Sequence, residues 1–430
     1  MDLIDSLSKR WEGNNNPFLI HPEGSLSFKD ILENKNINLD SVKKGDVVAL
    51  IGDFNSISIA TLLMLIDKKV ILVPLTNLTK EQHEYFFESA HVNVIIEDGK
   101  VSRFSEQINH EFLDIIRERN SSGLILFSTG TTGRPKAILH DFDPFLSRFE
   151  TPRPTLRTLN FLLFDHIGGL NTLFHTLFNK GIVIAPKDRT TQEILELCNK
   201  YKVEALPTTP TFLRMMLLSG ELKDKFPKSV KIVTYGTERM DQPTLDELCR
   251  ILPDVDFRQT FGMSELGILR VKSESRNSLF MKVGGEGVKT KIEDDVLCIR
   301  SDSRMIGYLN AKSPFDSDGW YNTKDIVERN GEYIKVVGRT TEVINVGGLK
   351  FMASEVERVA LEFDNVSHVK VIAKPNPITG EHSEIILQPS NDSFDIAEFR
   401  RFMKSKLQSH MVPRKVIIED ISVGHRFKKI

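Results

Sequence analysis

Four hundred and thirty residues are more than one hydrophobic core supports, since single cores stop growing near roughly 250–300 residues, so more than one domain is expected. A net charge of −2, from 57 Lys+Arg against 59 Asp+Glu, removes the electrostatic drive toward nucleic acid or an anionic membrane. Cys198, Cys249 and Cys298 lie too far apart for a metal motif or a disulfide framework, which points to small core residues and a reducing compartment.

The first ten residues lack an apolar signal core, and the longest apolar run, 57–66, is about half a membrane span. A soluble cytoplasmic protein without a transmembrane segment is expected. Residues 17–30 read as a strand pair leading into a short helix. Lys44-Gly45-Asp46 then turns into a buried strand at 47–51, followed by a helix at 57–66 and a strand at 70–74. A helix at 79–91 precedes a strand at 92–96. This β-α-β-α-β rhythm predicts a parallel sheet covered by helices. An apolar strand at 123–127 delivers a loop of small residues. Beyond it, strands at 160–164, 181–185, 205–209 and 231–235 alternate with helices at 170–178 and 190–200, a second doubly wound layer. From about 283 the texture changes to short strands between turns, with Asn330-Gly331 as a hairpin signal. A small antiparallel β subdomain is predicted there. The last ninety-odd residues alternate strand and helix signals and predict a small α+β domain. The fold class is therefore α/β: two doubly wound βα subdomains and a small β subdomain in 1–340, then a C-terminal domain in 341–430.

The chemistry concentrates at Ser128-Thr-Gly-Thr-Thr-Gly-Arg-Pro-Lys136. Gly130 and Gly133 tolerate φ > 0 and leave the backbone open to a ligand. Ser128, Thr129, Thr131 and Thr132 add hydroxyl donors, and Lys136 adds a cation. Such a loop suits a polyphosphate. It is not a P-loop, because no Ser or Thr follows the Lys to hold Mg²⁺. Five small residues alone fit a polar hairpin between two strands equally well. The whole string, however, resembles the phosphate loop of the adenylate-forming superfamily, which includes acyl- and aryl-CoA synthetases and peptide-synthetase adenylation domains.

Other stretches extend the resemblance from about residue 20 to the end. Gln259-Thr-Phe-Gly-Met-Ser-Glu265 alone reads as a strand end with a helix cap at Ser264 and Glu265 in the first turn. In the family's pattern Phe261 stacks on adenine, with Gly262 beside it, Ser264 contacts the α-phosphate and Glu265 holds Mg²⁺. Upstream, Gly236 and Thr237 occupy the place of an adenine-binding strand, while Tyr235 suits a core equally well. Asp318-Gly-Trp-Tyr-Asn-Thr-Lys-Asp325 matches a motif whose last Asp takes the ribose hydroxyls; Lys324 stands where the family has Gly. Gly338-Arg339 matches the ribose-and-phosphate arginine. Thr341 falls on the family's hinge, and Gly347, Gly348 and Lys350 fall on its thiol-tunnel loop, though Gly-Gly alone also reads as a β-turn.

At the C-terminus an ungapped count places Lys429 on the family's catalytic lysine, with Lys428 as its one-residue alternative and a solvated basic tail as the plain reading. Phe164-Asp-His-Ile-Gly-Gly-Leu-Asn171 resembles the acid-pocket segment. His166 aligns with the histidine beside the acid, and Asp165 stands where CoA synthetases carry Phe and peptide synthetases place an amine-binding Asp.

The resemblance implies an ATP-dependent, AMP-forming acid–thiol ligase that uses Mg²⁺ and CoA or carrier-bound pantetheine. Glu265, Lys136, His166 and Lys429 would be its catalytic groups. Two other readings stay open: an adenylating enzyme that loads an amino acid or acyl group onto a carrier protein, and a non-catalytic acyl-nucleotide-binding protein. The acid itself is not legible.

Overall fold

The computed structural model describes residues 2–22, 24–33, 37–128, 134–391, 393–421 and 424. Thr129, Gly130, Thr131, Thr132 and Gly133 of the small-residue loop, and both terminal lysines Lys428 and Lys429, lie outside the described residues.

The first sheet is built from apolar strands buried on both faces, as helix-covered parallel strands must be. Val47–Ile51, Ile71–Leu75 and Gly123–Phe127 are buried throughout and run parallel, with Val94–Glu97 alongside Val47–Ile51. Helix Ser56–Asp67 forms the first crossover; Asn55 caps it by accepting from Ser58 N at 2.8 Å. Ala137–Asp141 turns back antiparallel on Gly123–Phe127, so the small-residue loop is a hairpin connection. Gly307–Tyr308 returns from far along the chain to close that edge.

A second sheet runs in the order Asp256–Gln259, Ile232–Tyr235, Ala205–Thr208, Arg157–Leu159, Ile182–Ile184, Pro17–His21, Gly24–Ser27, parallel except for its last pair. The N-terminal hairpin thus joins the second sheet, not the strands that follow it in sequence. Helix Leu3–Trp11, which carries no clear sequence signal, packs Leu7 and Trp11 into the core between the layers. A third, antiparallel sheet holds Arg270–Ser273, Met281–Gly284, Tyr333–Arg339, Tyr321–Asn330, Val296–Ser301 and Val288–Glu293. Beyond the short 3₁₀ turn Thr340–Glu342, a further sheet with helices Ala353–Leu361 and Ile396–Lys406 encloses its own core, including Val356, Ile385, Leu387 and Phe399. The architecture is α/β, with two βα layers, a β subdomain and a small α+β C-terminal part.

Two local expectations are corrected. Residues 160–164 are not a strand: pairing ends at Leu159, and His166 N bonds Leu163 O at 3.1 Å in a turn that launches helix Ile167–Phe178. The segment is apolar because it is covered, not because it is paired. Ser264 caps no helix; it opens the turn of a tight hairpin between Gly262–Met263 and Gly267–Ile268.

Candidate active site

Lys136 leaves the hairpin loop at a fixed point. Ser128 N donates to Lys136 O at 3.1 Å, and Ser128 Oγ accepts from Lys136 N at 3.0 Å, so the loop is closed at its base. Asn310 and Tyr85 brace it from outside: Asn310 Oδ1 accepts from Ala137 N at 2.9 Å, and both Asn310 Nδ2 and Tyr85 OH donate to Pro135 O. The Lys136 ammonium then sits 4.8 Å from the centre of the Tyr308 ring, a cation–π distance.

Tyr308 connects this cation to the carboxylate that the sequence singles out. Its hydroxyl donates to Glu265 Oε1 at 2.6 Å, a short charge-assisted bond. Burial, and then the Glu265 carboxylate, push the phenol well above its ordinary range, so it remains a donor. The Ser264-Glu265 turn is held from two more sides. Met305 N donates to Glu265 O at 2.8 Å, and His140 Nε2 donates to Ser264 O at 2.6 Å. His140 is buried, which lowers its pKa to about 4, so it stays neutral with the proton on Nε2.

Sequence reasoning missed Tyr308, His140, Tyr85 and Asn310. Tyr308 and His140 come from strands whose register is set by tertiary pairing; nothing local marks them beyond a short apolar run in Ile306-Gly-Tyr-Leu309.

Glu265 fits one metal role. With Oε1 engaged by Tyr308, Oε2 remains, and no cluster of three metal-binding side chains occurs among the described residues. A single carboxylate suits Mg²⁺, which keeps waters and takes its other ligands from substrate phosphates.

Gly236, Thr237 and Phe261, the residues the resemblance assigns to adenine, lie at the carboxyl ends of parallel strands, where open α/β sheets bind ligands. Strand Ile232–Tyr235 ends in Gly236, and Tyr235 O accepts from Thr260 N at 2.7 Å and Thr260 Oγ1 at 3.1 Å. A Cβ at Gly236 would collide with Thr260 Oγ1, so only glycine allows this approach. Thr237 holds φ +71°, a left-handed conformation that costs about 1–2 kcal/mol and marks a constrained site. Phe261 follows Thr260, half-buried. Tyr235 itself is core.

Asp325 sits on a bulge: five residues, 322 to 326, stand opposite the three from Cys298 back to Val296. Lys324 adopts φ +61° there, the glycine-like turn kept without glycine, and its N–H donates to Asn322 Oδ1 at 2.8 Å. Asp325 is buried, and burial raises its pKa against the opposing charge of Arg339, whose Nε lies 3.1 Å from Oδ1. Tyr321 lies within electrostatic reach of Glu265, Arg339 and Asp325, so the two constellations are neighbours.

His166 caps helix Ile167–Phe178, Nδ1 accepting from Gly168 N at 3.0 Å. The neutral ring therefore carries its proton on Nε2. Phe142 and Phe149 pack on Phe174, at 5.7 and 6.2 Å between centroids, and fix the helix behind it. Asp165 is buried and lies within electrostatic reach of the Arg189 guanidinium.

Of the C-terminal candidates, Thr341 follows Arg339 by two residues, in the turn that Arg339 opens with its N–H donating to Glu342 Oε2 at 3.1 Å. Thr341 is exposed within the 3₁₀ turn. Gly347 and Gly348, at φ +62° and +90°, form the two-residue turn of hairpin Val343–Val346/Leu349–Met352, bonded to Thr379 O and Asn345 Oδ1. Lys350 is exposed on the second strand. These contacts stay within the C-terminal sheet.

Comparison with known proteins adds three findings. A sequence model described as AMP-binding enzyme matches residues 38–309. The chain is 24% identical over 414 residues to a 2-succinylbenzoate–CoA ligase of Listeria monocytogenes, covering 88% of this chain and 85% of that protein. Its fold superposes on the ATP-bound MatB of Rhodopseudomonas palustris with a TM-score of 0.81 at 18% identity, covering 99% and 96% of the two chains. On o-succinylbenzoate CoA synthetase of Bacillus subtilis, in complex with its acyl-adenylate intermediate, the TM-score is 0.77 at 18% identity, covering 98% and 96%.

Proposed function

The chain belongs to the AMP-binding enzyme family, and we propose that within it this protein is an AMP-forming acid–thiol ligase. It joins a carboxylate to the α-phosphorus of ATP, releasing pyrophosphate, and passes the acyl group to a thiol, with CoA as the acceptor. The observation that carries this reading is the Lys136–Tyr308–Glu265 line. It sets a cation and a carboxylate together at the mouth of the small-residue hairpin. The similarity to a named CoA ligase over most of both chains supports CoA over a carrier.

The chain's own groups position and neutralise charge; none forms a covalent bond. Lys136 and the hairpin hold the β- and γ-phosphates. Glu265, oriented by Tyr308, would hold Mg²⁺, which when bound supplies positive charge to the phosphate oxygens. Phe261 and the Gly236-Thr237 backbone take the adenine, Asp325 the ribose hydroxyls, and Arg339 the ribose and phosphate. The protonated Nε2 of His166 suits one oxygen of the acid. Lys429 would add charge where carboxylate and α-phosphate meet.

We place the domain boundary between residues 340 and 341, supported by the separate C-terminal core. No helix among the described residues is long and apolar enough to cross a membrane. A cytoplasmic location is our reading, supported by three free cysteines, the buried Cys198 thiol pushed up to about 12.

Pyrophosphate release with a panel of carboxylic acids, with and without CoA or a holo-carrier protein, tests the proposal. At least one acid should give pyrophosphate, AMP and an acyl-CoA. Acyl transfer to the carrier alone favours the loading-enzyme reading. Absence of release with every acid favours a non-catalytic acyl-nucleotide-binding protein. Glu265→Gln should abolish release and leave the fold intact; near-normal pyrophosphate exchange in that variant would remove the metal role.

A further inference from the structure

We infer that Arg214 is a positioning residue, a latch that holds the C-terminal part on the nucleotide-binding part and sets the balance between two half-reactions. The inference rests on the ligase reading.

Arg214 lies on helix Pro210–Leu218, which is buried along most of its length. Its guanidinium crosses to the first residues of strand Val366–Asn376: Nε donates to Ser367 O at 2.5 Å and Nη2 to Val366 O at 3.0 Å. Those carbonyls are available because the pairing register with Gly380–Pro389 shifts between Val366 and His368, a bulge that turns the backbone out of the ladder. On its own side, Arg214 Nη1 donates to Thr244 Oγ1 at 2.7 Å, and Thr244 Oγ1 donates to Asp241 Oδ2 at 2.8 Å. A relay of Asp241, Thr244 and Arg214 thus ends on two main-chain acceptors across a span of about 150 residues.

The partners across the interface decide what this contact is for. A buried guanidinium bonded to carbonyls has no opposite charge over there to hold it permanently. Once the parts separate, water replaces both bonds at little net loss. The only other charged bridge across the same face is Arg239–Glu357, at 3.4 Å and partly exposed, among the described residues. The chain connection is the short 3₁₀ turn Thr340–Glu342. A polar, bidentate contact beside one short connection defines an orientation without locking it. A ligase that builds a mixed anhydride and then admits a thiol to the same carbonyl needs such a releasable orientation.

The test uses the full-length protein and two variants. Arg214→Met removes all three donors and keeps the apolar stem; Arg214→Lys keeps the charge and loses the fork. Three quantities are measured: acid-dependent ATP–pyrophosphate exchange, thiol attack on chemically prepared acyl-adenylate, and the radius of gyration by small-angle scattering. The ratio of the two rates should change tenfold or more in Arg214→Met and less in Arg214→Lys, the two rates moving in opposite directions, with a larger radius of gyration. An unchanged ratio overturns the latch, whether both rates persist or fall together. Should Arg214→Met not fold, Thr244→Val, which cuts the relay on the near side, must change the ratio with the two rates moving in opposite directions, and an unchanged ratio there overturns the proposal equally. A wild type in which none of the acids supports pyrophosphate exchange overturns the ligase reading instead. The scattering comparison still decides the latch, which falls if the variants keep the wild-type radius.

Discussion

At the scale of single residues, the groups that orient the site come from strands far away in sequence. His140 and Tyr308 fix the Ser264-Glu265 turn across 124 and 43 residues respectively. His140 makes a pH prediction with a defined sign. Its folded pKa is depressed to about 4 by burial, below the unfolded value of about 6.5. Its contribution is complete above pH 6.5. As pH falls toward 4, the unfolded chain takes a proton that the folded one refuses. About 3 kcal/mol of stability should be lost across that window. His140→Gln, which can keep an N–H toward Ser264 O, should lose that much less between pH 6.5 and 4 in urea unfolding. Equal acid sensitivity would mean that other groups carry the transition. Tyr308→Phe isolates the second support: the ring stays under Lys136, and only the proton to Glu265 goes. Outer partners of a metal ligand typically contribute 10–100-fold to metal affinity. The Mg²⁺ concentration for half-maximal pyrophosphate release should rise by about that factor. An unchanged Mg²⁺ dependence would separate Tyr308 from the metal.

At the scale of elements, the strings that carry the family resemblance were legible in the sequence. The Ser128–Lys136 hairpin, the Phe261–Glu265 turn and the Asp325 bulge were all visible as strings. What the strings could not give was backbone context. The apolar 160–164 run reads as a strand, yet its run of burial reflects cover by helix and sheet, which periodicity alone cannot distinguish from pairing. Ser264 followed by Glu265 suits a helix start and a hairpin turn alike; the Met263–Gly267 pairing decides it. Lys324 shows the reverse. The sequence casts doubt on the turn, and the structure forms it anyway at φ +61°, with Asn322 Oδ1 holding the amide. A left-handed L-residue costs about 1–2 kcal/mol, and glycine returns about 0.5–1 of that through unfolded-chain entropy. Lys324→Gly should therefore raise stability by up to about 1 kcal/mol in urea unfolding, while Lys324→Ala keeps the strain and changes little. A loss in Lys324→Gly would mean that the lysine side chain itself supports the bulge.

At the scale of the whole molecule, Lys136, Glu265 and Asp325 precede the short turn Thr340–Glu342, and the sheet with its own core follows it. The strand Lys415–Ile418 pairs parallel with Gly380–Pro389, and Ile421 N donates to Gln388 Oε1 at 3.2 Å. The proposed catalytic cation follows this strand in sequence, so its role is tested on the variants themselves. Positive charge is useful in the first half-reaction, when carboxylate and α-phosphate, both anions, are forced together. It is superfluous once the anhydride exists. Lys429→Ala should slow adenylate formation by two to four orders of magnitude, the loss of about 3–5 kcal/mol of electrostatic stabilisation. Thiol attack on chemically prepared acyl-adenylate should hardly change. Lys350, on the exposed strand after the Gly347-Gly348 turn, should show the opposite bias, or at least a weaker effect on adenylation. Lys428→Ala is the internal control. A large loss there and none at Lys429 would move the catalytic position by one residue. No loss in either variant would leave the terminal lysines without a catalytic role, and the charge would then have to come from Lys136 or Arg339. Rate measurements on the separated half-reactions decide among these, because overall turnover mixes a chemical defect with a defect in domain exchange.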